Sequence, residues 1–182
     1  MSALSIPETV DFQQAIALTQ QLLEQLENHN ISDRQVQDAV SQLVASKPGA
    51  RGFFATYLTD DRPIANSPAP AILNAFQPHS DRVAELLVKN LAMSSAMAVE
   101  HRRRGNDEMA ASSEQVRSRT VNLISRANLP PLSQHLDDLH QSVTTGAGEY
   151  RAFLERWGYD REQQDAIRDA AVRARTTIES GA

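Results

Sequence analysis

The side chains able to do chemistry are few and scattered. His135, Asp137, Asp138 and His140 fall within one short stretch. Asp137-x-x-His140 puts a carboxylate and an imidazole on neighbouring turns of a helix. That is a fragment of the pattern that holds a carboxylate-bridged metal pair, in which Glu-x-x-His motifs on facing helices converge inward. The sequence contains no Glu-x-x-His and no second histidine pair, and it lacks the His-Glu-x-x-His of zinc peptidases. The stretch therefore reads as a solvated acidic face, and no metal or other cofactor is expected.

Other chemistries fare no better. With no cysteine, the chain has no thiolate nucleophile, thiolate zinc site, iron–sulfur cluster or disulfide framework. Gly-x-Ser-x-Gly, Gly-x-Gly-x-x-Gly and the P-loop pattern are absent. Gly146-Ala147-Gly148 could present amides to an anion at a helix start, but Glu149 follows directly and would repel it. It reads as a turn. Nothing assigns a catalytic residue, and a non-enzymatic protein is the favoured reading.

What remains is charge and shape. Residues 100–126 hold six arginines against four acids, whereas residues 1–50 hold six acids against two bases. His101, Arg102, Arg103 and Arg104 lie together at the end of a long helical segment, where the helix dipole favours cations by roughly 0.3–1 kcal/mol. Their sharper reading is a surface for an anion or an acidic partner. Arg117 and Arg119 are two apart, about 200° around a helix, so both cannot join that patch. A formal charge of −5 gives no global attraction to nucleic acid, which is not an expected partner.

Along the same long segment, Val83, Leu86, Asn90, Met93 and Met97 fit alternating a and d positions, with Asn90 at an a position where asparagine can fix register between paired helices. Ser94, Met97 and His101 continue that face, and Ala92 to Ala98 is rich in small residues. The segment 83–101 is thus a candidate seam between copies of the chain.

The elements that would position these groups are helical from end to end. Apolar residues recur at helical spacing over about 7–28 (Phe12, Ile16, Thr19, Leu23, Leu26), 32–47, 80–104, 107–127 and 131–144. Ser32 with Gln35 forms a capping box, flanked by Ile31 and Val36 as a staple. Pro48-Gly49 is read as the stop of that helix. Ser67 before Pro68 suggests the start of a short helix reaching Phe76. Asp160 caps a last helix, about 161–179, whose weakly apolar stripe is Gln163, Ile167, Ala170, Ala171, Ala174 and Ile178. Arg161, Arg168 and Arg175 recur every seven residues on it, with Asp165 and Asp169 at ion-pair spacing. No segment alternates with period two, so no strand is expected.

Two short helices, about 51–59 and 149–157, carry six of the nine aromatic residues: Phe53, Phe54, Tyr57, Tyr150, Phe153 and Trp157. Each follows a Gly-Ala turn. Packing against the core is the expected role, with lining of a ligand pocket as the alternative.

The chain of 182 residues, 41% hydrophobic and 23% charged, is expected to form one all-α domain over 1–182. The architecture would be an antiparallel bundle built on the long pair 80–104 and 107–127, the short aromatic helices covering its ends. The N-terminus does not read as a signal peptide, and no run approaches a membrane span, so a soluble cytoplasmic protein is expected. Three functions stay open: a self-associating or partner-binding scaffold, a bundle holding an apolar or anionic small molecule between helices, and a regulator that meets nucleic acid or an acidic partner through Arg102–Arg104.

Overall fold

Asp11, not the segment around residue 7, starts the first helix. Its side chain accepts from the Gln14 amide at 2.8 Å while Gln14 Oε1 accepts from the Asp11 amide at 3.0 Å, a reciprocal cap that closes two orphan donors. The computed structural model describes residues 4–180. Its α-helices, in chain order, are α1 (Phe12–Glu27), α2 (Asp33–Val44), α3 (Lys47–Thr59), α4 (Pro70–Ala75), α5 (Ser80–Arg103), α6 (Asp107–Arg126), α7 (Leu132–Thr145), α8 (Arg151–Trp157) and α9 (Arg161–Ser180). Short 3₁₀ turns at Pro63–Asn66 and Gln77–His79 complete the regular structure. The fold is all-α, with no strand among the described residues.

Two further helix starts differ from the sequence reading. Pro48-Gly49 lies inside the first turn of α3, not after the end of a helix. Ser46 caps α3 by accepting from the Gly49 amide at 3.1 Å. Proline is tolerated there because its missing N–H would be unpaired in any case. The chain between α2 and α3 is therefore shorter than the motif implied, and α3 gains a turn at its N-terminus. Likewise α4 begins at Pro70 with Ala69 as its cap position, rather than at Ser67-Pro68. The capping box at Ser32–Gln35 is present as read.

The chain divides into two compact units, residues 1–86 and 87–182, and the division falls within α5. In the first unit α1 packs closely along α3, and α2 packs on α3 and α4. Phe53, Phe54, Tyr57 and Phe76 form its centre, all at most 1% exposed. Phe53 stacks on Tyr57 at 5.3 Å between ring centroids and meets Phe54 edge-on at 5.1 Å. Arg82, at the start of α5, donates to the Ala45 carbonyl at 2.6 Å, satisfying a carbonyl where α2 ends.

In the second unit α9 packs against α7 and α6. The buried side of α9 is Gln163, Ile167, Ala170, Ala171 and Ala174, the stripe its spacing marks. Gln163 Nε2 donates to the Ala96 carbonyl of α5 at 3.3 Å. Leu123 and Ile124 of α6 and Leu132, Leu136 and Leu139 of α7 complete the apolar interior.

Candidate functional site

A groove of about 530 Å³ runs between α6 and α9. From α6 it is lined by Glu114, Arg117, Ser118 and Val121, which share one face at spacings of three, four and seven. From α9 it is lined by Ala166, Asp169, Ala170, Arg173 and Thr177. The volume is within the range of small-molecule sites, which are often placed between helices.

Charge is distributed unevenly in it. Glu114 is shared by two guanidiniums, Arg117 one turn along α6 and Arg102 at the end of α5. Arg117 is pulled below the usual arginine value, first by burial and then by repulsion from Arg102 and Arg173. Arg117 therefore faces two further guanidiniums, Arg102 and Arg173, while Glu114 is the one carboxylate it pairs with. Arg173 makes no ion pair with a described residue, and neither does Asp169 four residues before it, although that spacing commonly pairs on a helix. An anion placed between Arg117 and Arg173 would relieve the repulsion and meet two forked donors.

Each arginine of the triplet that stood out in the sequence pairs with a carboxylate of the same chain, while Arg102 and Arg104 stay largely exposed. Arg102 pairs with Glu114 and Arg104 with Glu100. Arg103 reaches the start of α9, donating from Nε to Glu162 at 2.9 Å and from Nη2 to Asp160 at 3.0 Å. These partners hold its pKa above the usual arginine value. Asp160 also caps α9, accepting from the Gln163 amide at 3.0 Å. Its carboxyl is lowered to about 2, first by Arg103 and then by that amide. An unfolded aspartate titrates near ~3.9. Because the folded value is depressed, this clamp contributes fully above about pH 4 and is lost as pH falls through about 2. An NMR titration of Asp160 is expected to give a midpoint near the lower value, and Arg103→Gln to move it upward.

The remaining candidates fall in different places. Arg119 is buried at 3% exposure while Arg117 faces the groove, on separate faces as their spacing requires. On the 83–101 face, Val83, Leu91 and Ala98 are fully buried and Asn90 is half-buried. Ser94 Oγ donates to the Asn90 carbonyl at 2.7 Å. Met97, at 36%, is the exposed apolar side chain there, and His101 is half-buried.

Phe53, Phe54 and Tyr57 pack on one another in the first unit. In the second, the Tyr150 hydroxyl lies 2.8 Å from His135 Nδ1, Phe153 meets Tyr150 and Tyr159 edge-on, and half-exposed Trp157 stacks on Tyr159. Lys89 Nζ lies 5.8 Å from the centre of the Phe153 ring. Asp137 pairs with Arg175 at 3.1 Å, and Asp138 accepts from Gln134 at 2.8 Å. No helix among the described residues is long and apolar enough to cross a membrane.

Sequence reasoning reached Arg117 and the α9 stripe but did not join them. Asp169 was legible only as part of a solvated helix face, and Glu114 and Arg173 carried no sequence signal of their own. The local signal available was the Glu114–Arg117 spacing beside an alanine-rich stripe.

A family model described as "Uncharacterised conserved protein UCP020893" covers residues 11–174. No curated protein and no solved structure matches the chain.

Proposed function

We propose, for a chain that belongs to the family of the uncharacterised conserved protein UCP020893, that it binds a small organic anion in the groove between α6 and α9. The observation that carries this reading is the pairing of Arg117 with Arg173 from opposite walls of a roomy groove, with Glu114 the single carboxylate shared by Arg117 and Arg102. Like charges converge at a cost, and a bound anion offsets it. Val121, Ala166 and Ala170 supply an apolar wall for the body of the ligand. The reading is of a binding protein: the groove offers fixed charge and shape, with Ser118 and Thr177 as neutral hydroxyl partners.

Calorimetric titration of the whole chain with sodium hexanoate at low ionic strength tests it. A saturable heat is expected, and Arg117→Gln should weaken binding about tenfold, since a charge-assisted hydrogen bond contributes ~1.5–3 kcal/mol. The variant should keep its thermal midpoint to within a few degrees, because it removes a partly desolvated charge rather than a packed apolar group. Unsaturable heats, or equal affinity in the variant, would remove the anion reading.

A further inference from the structure

We infer that the ligand is a linear zwitterion, an ω-amino carboxylate, whose carboxylate meets Arg117 and Arg173 and whose ammonium meets Asp169. This deepens the anion reading above and rests on it. Asp169 and Arg173 are four apart on α9 and both line the groove, so their side chains leave the helix about 5–6 Å apart. Each lacks an ion-pair partner among the described residues. Nearby acids on α9 do pair: Asp165 holds Arg168 at 2.9 Å and Glu179 holds Arg175 at 2.9 Å. The groove therefore presents a solvent-exposed carboxylate without an ion-pair partner among the described residues, one turn from Arg173 and in the same lining as Arg117.

That arrangement discriminates between ligand charge types. A simple fatty carboxylate would satisfy the arginines and lay its tail beside the charge of Asp169. A dicarboxylate would bring a second negative charge toward Asp169, where like charges repel. A phosphate or nucleic-acid backbone meets the same objection, with Glu114 adding to it. A chain of a few methylenes with an amine at one end and an acid at the other complements both ends. Its middle would lie against Val121, Ala166 and Ala170. Specificity then comes from the repulsion built against the wrong partners as much as from attraction to the right one.

The experiment compares 6-aminohexanoate, hexanoate, hexylamine and adipate on the whole chain by calorimetry, in the same low-salt buffer. The expected order places 6-aminohexanoate first, about three- to fivefold tighter than hexanoate, the size of a part-exposed charge pair, with adipate weakest of the acids. Asp169→Asn is expected to erase the preference, the two monoacids then binding alike. Hexanoate binding as tightly as 6-aminohexanoate to the native chain would overturn the zwitterion while leaving the anion reading in place. Hexylamine binding tightest, or no acid saturating, would overturn both.

Discussion

Gly52→Ala is expected to destabilise the chain by about 2 kcal/mol, lowering its thermal midpoint by about 4–8 °C for a chain of this size. The sign is the informative part. In the interior of a helix, glycine to alanine ordinarily gains up to ~1 kcal/mol from propensity, and Gly52 is interior to α3. Here an added Cβ would lie 2.5 Å from Ala15 Cβ and 2.8 Å from the Phe12 carbonyl oxygen. Both neighbours belong to α1 and neither is a flexible side-chain tip. The methyl group can be admitted only by separating α1 from α3, and overpacking of this kind costs typically ~1–3 kcal/mol or more. Urea unfolding of the full chain measures the balance. Ala15→Gly in the same chain should recover part of the loss, since it removes the closest contact but not the carbonyl. A variant as stable as the native chain would show that the helices part freely at Gly52.

The same site shows what a sequence can and cannot disclose. Helix existence was legible wherever apolar residues kept helical spacing, and Ser32 with Gln35 marked the start of α2 because both partners of that cap are three residues apart. Pro48-Gly49 misled because the pair has two meanings, stop and first turn, and only Ser46 reaching the Gly49 amide separates them. Gly52 carries no local sign of its role at all. Its partner atoms are on Phe12 and Ala15, far along the chain.

Arg103 is a similar case. As part of a basic triplet at a helix end it reads as exposed charge available to a partner, yet its carboxylates are Asp160 and Glu162. Sequence spacing records contacts within a helix; contacts between helices are decided by packing. The groove was hidden for that reason. Arg117 and Arg173 share no local pattern, and each in isolation is an ordinary charged residue on a helix surface.

The two short aromatic helices provide the sharpest contrast between equal sequence signals and unequal structural roles. Phe53→Ala is expected to cost about 3–5 kcal/mol, the range for emptying a fully buried aromatic site. Phe53 is 0% exposed and sits among three other rings: Tyr57 stacked on it, Phe54 and Phe76 at its edges, the latter at 6.1 Å. Rings held on α3 and at the end of α4 close poorly over a lost neighbour, so most of the cavity persists and its lining loses contacts outright. Phe153 is the phenylalanine of α8 and is only half-buried. It touches Tyr150 and Tyr159 edge-on at 6.3 and 6.4 Å, in a ladder of rings that ends at exposed Trp157. Phe153→Ala should cost about 1–2 kcal/mol, because part of the ring's apolar area is already in water and solvent can fill the vacated space. Chemical denaturation of both variants gives the ratio. A twofold or greater difference follows from burial; equal losses would mean that the Phe153 ring is held as tightly as the Phe53 core, and that the ladder on α8 is a second packed core instead of a partly wetted surface.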